Sequence, residues 1–282
     1  MEKQDIYSEV TKHYSTAAQG VDAHYGDSVA KAFGYSEAEL ASIPRDANLG
    51  LSCGNPLAIA TIREGETVID LGSGAGFDVF LAANNVGLNG KVIGVDMNKD
   101  MLSRAHKIRE ANGKTNTEFV ESQITAIALD SGIADCIISN CVINLVPEEE
   151  KQLVFNEMFR LLKPGGRVAV SDILAKKPLP EEIRKSMTLY VGCIAGASQV
   201  SAYEKYLKEA GFAKILITDS GNDLNVYHTT EIGGADSKST EQGGCCGTQT
   251  SCCGPTNNDT SGAQNIDFNE WTASYKIYAV KA

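Results

Sequence analysis

The chain has 282 residues, 43% of them hydrophobic, enough for one large domain or two small ones with an ordinary core. Its formal charge of −11 argues against a nucleic-acid partner, because a phosphate backbone selects a basic face. No apolar run approaches the roughly 20 residues of a membrane helix, and Met1 to Ile6 lacks the charged-then-apolar layout of a secretory leader; the expectation is a soluble, cytoplasmic protein in which eight cysteines point to metal or thiol chemistry before structural disulfides.

Residues 1–27 carry an apolar and aromatic spacing around Ile6 to Tyr14 that suits a short amphipathic helix. Such a helix either closes over a pocket or simply packs. A second helical pattern in 28–50 ends near Ala41, and Pro44 stops regular structure. Cys53, followed by Gly-Asn-Pro, reads as a loop position rather than core. Pro56 starts a helix predicted over Leu57 to Arg63. A cysteine in a turn at a helix N-terminus tends toward a lowered pKa and more thiolate.

Val68 to Asp78, VIDLGSGAGFD, is the stretch that organises the rest. A buried strand meets Asp70 and breaks into Gly72, Gly74 and Gly76, and a helix follows from Val79. Strand, glycine turn and helix open a nucleotide-binding α/β sheet, with bare backbone and free N–H groups facing the ligand. The spacing is G-x-G-x-G, not the dinucleotide G-x-G-x-x-G, and an acid stands two positions before the first glycine. A pyrophosphate has no use for that carboxylate; a ligand with a cationic or amino-acid end does. The segment D-L-G-S-G-A-G resembles motif I of class I S-adenosylmethionine (SAM) methyltransferases.

Lys91 to Asp96 is a second buried strand, and Asp96 lies about twenty residues past the glycine turn, where α/β nucleotide sites hold ribose hydroxyls. The competing role for Asp96 is to cap the next helix, which Asn98 or Asp100 would do equally well. Met97 follows, placed to pack on adenine. Residues 99–112 read as a basic amphipathic helix and Thr117 to Glu121 as a third strand. In the methyltransferase pattern the end of this strand holds adenine, which Gln123 and Ile124 fit by position. Ala134 to Leu145 is the fourth strand and its exit, beside the strand-order switch. Asn140 suits the cofactor's methionine end, Cys141 points toward the reacting face, and Cys136 is a core thiol.

A helix from Glu148 to Leu162 ends at a Lys163-Pro-Gly-Gly166 turn, and Arg167 to Asp172 is the fifth strand. Pro180 begins a helix that continues through Leu189 to Ala197. Cys193 sits there among small residues, which leave room beside the sulfur or allow close helix packing around an inert thiol. Ser201 caps a helix that Gly211 stops, and Ala213 to Thr218 is a strand. From about Thr230 to Gln264 the composition turns to Gly, Ser, Thr, Asn and Cys, as in a flexible insertion. Its pairs Cys245-Cys246 and Cys252-Cys253 suit one soft ion but not zinc-finger spacing. Trp271 to Val280 alternates like a closing strand, expected as the antiparallel edge of the sheet.

Cys53, Cys141 and Cys193 fall where chain would rim the pocket. Three converging thiolates suit a soft, three-coordinate ion such as arsenic(III). They suit a catalytic zinc poorly, since zinc recruits histidine or carboxylate as well. The set C-G-N-P, S-N-C-V-I-N-L and G-C-x-x-G-A resembles the arsenite methyltransferases, from about Tyr14 to Phe212. That resemblance implies an α/β, Rossmann-like class I fold with a mostly parallel seven-stranded sheet, helices on both faces, and a C-terminal arsenic-binding region. It implies Cys53, Cys141 and Cys193 as arsenic ligands, with Cys245, Cys246, Cys252 and Cys253 as further candidates. Asp70, Gly72, Ser73, Gly74, Gly76, Asp96, Met97, Gln123, Ile124 and Asn140 would hold SAM.

Family members often carry an acid before the third cysteine; here Gly192 stands instead, which puts a proton-handling role there in doubt. The implied organisation is a helical lid (1–50), a SAM-binding domain (51–175), an arsenic-binding region and strand (176–229), a Cys-rich insertion (230–265) and a closing strand (266–282). The implied partners are arsenite or its thiol conjugates, with thioredoxin or glutathione as reductant. The rival reading is a class I methyltransferase acting on an organic small molecule, its cysteines structural.

Overall fold

Apolar runs with a period of two or with no polar break become strands, and those with a helical period cover them. The computed structural model describes residues 2–20, 23–226 and 266–282. Seven strands, β1 (Thr67–Leu71), β2 (Lys91–Asp96), β3 (Thr117–Glu121), β4 (Ala134–Asn140), β5 (Leu162–Ala175), β6 (Phe212–Asp219) and β7 (Thr272–Lys281), form one sheet. Their order is β3-β2-β1-β4-β5-β7-β6, with β1 to β5 parallel and β7 antiparallel to both neighbours.

Among the described residues four α-helices precede β1, α1 (Lys3–Ala17), α2 (Ala23–Ala32), α3 (Glu37–Ala41) and the single turn α4 (Leu57–Ala60), with a 3-10 turn at Arg45–Ala47. Next come α5 (Phe77–Val86), α6 (Lys99–Ala111), α7 (Lys151–Leu161), α8 (Glu181–Arg184), α9 (Met187–Val191) and α10 (Val200–Ala210). Both faces of β1, β2, β4 and β5 are buried, as crossover helices require, while the edge strand β6 is buried on neither face throughout. Val68 and Ile138 pack with Val79 and Phe80 of α5 and Met101 of α6. Their neighbours Ile69 and Ile137 turn to the other face, against Phe155 and Met158 of α7 and Leu207 of α10.

Several expectations fail in instructive ways. The closing strand is not an edge: β7 lies between β5 and β6, and β6 is the edge. Alternation reports which face a residue takes, not where its strand sits along the hydrogen-bonding direction. Lys163 to Gly166 is no turn between elements. It lies inside β5, where the register against β4 jumps from Ala134↔Leu162 to Cys136↔Arg167, a bulge. The pattern over 28–50 resolves into α2 and α3, the latter opened by a Ser36–Glu39 capping box. α4 ends at Ala60 because Thr61 turns left-handed (φ 49°). Gln199, not Ser201, is the N-cap residue of α10, and Gly211 (φ 104°) stops it as expected.

Arg167 ties the chain before β1 to β5. Its guanidinium donates to both Glu66 carboxylate oxygens (2.9 and 2.8 Å) and to the Thr61 and Ala60 carbonyls. Both side chains are largely buried, so removing one leaves the other uncompensated. Arg167→Ala should cost about 3 kcal/mol of unfolding free energy in a urea titration. Burial raises the Glu66 carboxyl, but the Arg167 hydrogen bonds outweigh it and hold the group below its ordinary value. That stability is present above the ordinary carboxylate range and lost as pH falls through the depressed value, so the variant should also show a flatter acid limb.

Candidate active site

The glycine turn is built against β2. The Gly72 and Ser73 amides donate to the Val95 carbonyl (2.8 and 3.0 Å), and the Gly74 amide donates to Asp96 Oδ2 (2.8 Å). Gly72 (φ 72°) and Gly74 (φ 51°) need the left-handed region that glycine enters freely. Asn98, not Asp96, caps α6, accepting from the Asp100 and Met101 amides at 3.0 Å. Asp96 is thereby left to pin the turn and face the opening.

Nine of the ten residues expected at a cofactor line one cavity at the C-terminal ends of the parallel strands: Asp70, Gly72, Ser73, Gly74, Asp96, Met97, Gln123, Ile124 and Asn140. Gly76 does not. It is the N-cap residue of α5, and a Cβ there would meet Phe80 and Phe119 at 2.8 and 2.9 Å, so its smallness serves packing. α1 forms the opposite wall through Tyr7, Val10, Thr11 and Tyr14. It is held by the Tyr7 hydroxyl on Glu150 (2.6 Å), a Lys3–Glu150 ion pair, and Asn98 Nδ2 on the Thr11 carbonyl (3.0 Å).

The electrostatics of this cavity are one-sided. Asp70, Asp78 and Asp96 line it, and among the described residues none that lines it is Lys, Arg or His. Asp70 is 3% exposed, and no hydrogen-bond donor meets its side chain among the described residues. Burial, then the neighbouring Asp78 and Asp96 charges, push its carboxyl well above the usual range. Burial also raises Asp78, against hydrogen bonds from Tyr35 and Asn140. The Ser73 hydroxyl is buried without a partner. A cationic ligand with hydrogen-bonding groups relieves all of these costs together.

Asn140 links this cavity to the cysteines. Its Nδ2 donates to Asp78 Oδ2 (3.1 Å), the Tyr35 hydroxyl (3.0 Å) and the Gly54 carbonyl (2.9 Å), while its Oδ1 accepts from the Cys53 amide (3.2 Å). Tyr35 in turn donates to Asp78 Oδ1 (2.7 Å). Sequence reasoning missed Tyr35 and Asp78. An acid in the first turn after the glycines was a visible signal for Asp78; nothing marked Tyr35.

The three cysteines do converge, but not as three thiolates. Cys53 and Cys141 form a disulfide with Cα atoms 5.7 Å apart, and the Cys193 thiol donates to the Cys141 carbonyl (2.8 Å). Cys53 is fully buried rather than a loop thiolate. Gly54 lets its loop lie on β5, where a Cβ would sit 2.6 Å from Ser171 Cβ, and Ser274 holds the Cys53 carbonyl (2.6 Å). Burial, then the Asp172 charge, push the Cys193 thiol well up. Cys193 is not helical: α9 ends at Val191, and Cys193 follows with φ 65°. Cys141 has φ 59°. Two non-glycine residues in this region at one site mark conformations that the surroundings enforce.

The small residues after Cys193 leave no free room there. A Cβ on Gly196 would lie 2.0 Å from the Asn144 carbonyl oxygen, so Gly196 serves close packing. Behind the cysteines lies a buried network that sequence reasoning also missed. Asp172 accepts from Asn144 Nδ2 (2.9 Å) and the Tyr203 hydroxyl (2.8 Å), and burial pushes its carboxyl up to about 6. Lys151, 1% exposed, binds Ser198 (2.7 Å) and Glu148 (2.9 Å). Cys136 is the core thiol expected, raised by burial to about 12. Cys245, Cys246, Cys252 and Cys253 lie outside the described residues.

Of these cysteines Cys141 also lines the cofactor cavity, so the two sites share a wall. Residues 62–211, more than half of the chain, match the family described as Methyltransferase domain. The chain is 47% identical over 184 residues to an arsenite methyltransferase of Halobacterium salinarum, covering 65% of this chain and 46% of that one. It is 38% identical over 198 residues to one of Aquipseudomonas alcaligenes, covering 63% and 56%. The chain thus spans about half the length of the curated relatives it matches. Among solved structures it resembles an arsenic(III) S-adenosylmethionine methyltransferase from Chlamydomonas reinhardtii, with TM-score 0.55 and 25% identity, covering 90% of this chain and 72% of that one. The sheet order, the glycine turn and its acidic cavity, and the match across both halves of the parallel sheet agree: this chain belongs to the methyltransferase-domain family, with the class I Rossmann-like fold.

Proposed function

We propose that this protein is a SAM-dependent arsenite methyltransferase, with Cys53, Cys141 and Cys193 as the arsenic ligands. The observation that carries the reading is Cys141, which lines the cofactor cavity and is in contact with the other two cysteines. When bound, SAM supplies a sulfonium-activated methyl group. The cavity fits it: Asp70 would take the ammonium of the methionine end, and Asp96 the ribose hydroxyls. Met97 and Ile124 would pack on adenine, with Gln123 at its edge. Gly72 and Gly74 present bare backbone, and α1 excludes water from the far side.

The thiol site must first be reduced. Two thiol equivalents from thioredoxin or glutathione take the Cys53–Cys141 bond to two thiols and leave as a disulfide. Trivalent arsenic then exchanges its hydroxides or carrier thiols for the three cysteines, each cysteine proton leaving with the displaced group. Thiolate donation keeps the arsenic electron-rich. Its lone pair is the nucleophile, so no general base is needed for the transfer. The protein supplies position. Arsenic is formally oxidised from III to V, and thiols return the two electrons. Such a cycle places the enzyme in a reducing compartment, the cytoplasm. Among the described residues no helix is long and apolar enough to cross a membrane.

Incubation of the reduced protein with arsenite and methyl-labelled SAM tests this reading. Label should appear in arsenic species, and an arsenic fraction free of label would refute it in favour of an organic acceptor. The cofactor assignment has its own test. Asp70→Asn should weaken SAM binding by about 1.5–3 kcal/mol, tenfold or more, in a calorimetric titration. An unchanged affinity in a folded variant would remove Asp70 from the cofactor site.

A further inference from the structure

Three thiols alone suit a catalytic zinc poorly, because such an ion recruits a carboxylate or histidine as well. The fold supplies the carboxylate. A carboxylate oxygen of Asp172 and the sulfurs of Cys53 and Cys141 all lie within 4.8 Å of one another, and all three residues are buried. β5 pairs with β4 so that Asn140 faces Ser171, which brings the residues that follow each, Cys141 and Asp172, to one place.

Asp172 is held as a ligand would be. Its Oδ1 accepts from Asn144 Nδ2 and the Ile173 amide, both at 2.9 Å, its Oδ2 accepts from the Tyr203 hydroxyl (2.8 Å), and the Ile143 amide also faces the carboxylate. These bonds fix the carboxylate in place with one oxygen within 4.8 Å of both sulfurs, close enough for one cation to meet all three. The Lys151 ammonium, whose charge acts on Asp172, is already paired with Glu148 at 2.9 Å and bonded to Gly196 and Ser198. Cys193 adjoins this trio, its thiol donating to the Cys141 carbonyl, but its sulfur is not among the three atoms that lie within 4.8 Å of one another.

We propose that reduced Cys53 and Cys141, together with Asp172, form a site for a divalent, borderline-soft cation of the zinc or cadmium type. The site does not require Cys193. A dithiol reductant opens the disulfide, its own two thiols becoming a disulfide as the cysteines gain two protons and two electrons. The cation then displaces the two cysteine protons to solvent and binds two sulfurs and one carboxylate oxygen. A site of this kind competes with a trivalent ion for two of the three thiols, so divalent cations of this class become inhibitors of arsenic binding. The site itself goes beyond the proposed transfer reaction and does not depend on it; the competition with arsenic rests on that reading.

The test uses the full chain with Cys245, Cys246, Cys252 and Cys253 replaced by serine. The protein is reduced with dithiothreitol, freed of reductant without air and titrated with cadmium(II). The sulfur-to-cadmium absorption band should rise to one equivalent. Cys193→Ser should keep the affinity within about threefold, while Cys53→Ser lowers it about tenfold or more. Cadmium NMR of the bound ion in the parent should report two sulfurs with oxygen, a readout that does not depend on any Asp172 variant folding. Absence of the band, an equal loss in Cys193→Ser and Cys53→Ser, or an all-sulfur signal would each overturn the proposal. Arsenite affinity, read in parallel on Cys193→Ser, falls if three thiols hold arsenic. If it does not fall, the three-thiol reading fails while the divalent site stands.

Discussion

Cys141→Ser is expected to cut methyl transfer to arsenite by at least about a hundredfold, roughly 2.7 kcal/mol of transition-state stabilisation, while SAM affinity changes little. The sulfur is the shared element of the two sites: Cys141 lines the cofactor cavity, is bonded to Cys53 and has its carbonyl held by the Cys193 thiol. Serine keeps the size but replaces a soft donor by a hard one, to which trivalent arsenic binds weakly. The remaining two thiols cannot restore a three-sulfur shell. Cys136→Ser is the matched control. That thiol lies fully buried in β4, so the variant should lose about 1–3 kcal/mol of stability for the buried hydroxyl and keep its turnover per folded molecule. Equal losses of turnover in the two variants would place the Cys141 effect in folding rather than chemistry.

Gly72→Ala should be nearly as damaging by a different route. Gly72 holds φ 72°, and an added Cβ would lie 2.3 and 2.5 Å from the two Val142 methyl groups. Left-handed backbone costs a non-glycine residue about 1–2 kcal/mol, and overpacking adds about 1–3 kcal/mol. Val142 follows Cys141 directly, so displacing it disturbs the thiol site as well as the cofactor turn. The expected result is a loss of about 3 kcal/mol in a urea titration together with weakened SAM binding. Val142→Ala in the same chain should recover most of the overpacking part, its own Cβ still lying 2.9 Å away, but not the backbone part. Full recovery, or none, would show that contact with Val142 is not what fixes the turn.

The parallel half of the sheet was legible because its central strands β1, β2 and β4 are buried on both faces, which writes them as largely apolar runs, while β3 is only half-buried. The bounds of β2 and β3 follow the sequence reading, and the glycine turn and Asp96 stand where that reading put them. Elements held by tertiary context were not legible. Cys53 and Cys141 are 88 residues apart, and no spacing rule brings their sulfurs to bonding distance. Asp172 looked like the polar end of a strand; its place beside the cysteines comes from the β4–β5 register. Tyr35 reaches Asp78 across 43 residues of chain. Cys193 read as part of the helix that Pro180 begins, with small neighbours that leave room beside the sulfur or allow close packing; the tight approach of Gly196 to the Asn144 backbone is the second. Apolar patterning thus exposed the scaffold, while the chemistry depends on which loop ends the register brings together.

The central claim is that arsenic sits on Cys53, Cys141 and Cys193 beside the cofactor cavity. X-ray absorption at the arsenic edge tests it most directly, on the reduced chain with the four cysteines of residues 245–253 changed to serine and one equivalent of arsenite added. The account predicts a first shell of three sulfurs in the parent protein, and two sulfurs with an oxygen in Cys141→Ser. An oxygen-dominated shell, or a three-sulfur shell unchanged by Cys141→Ser, would contradict it.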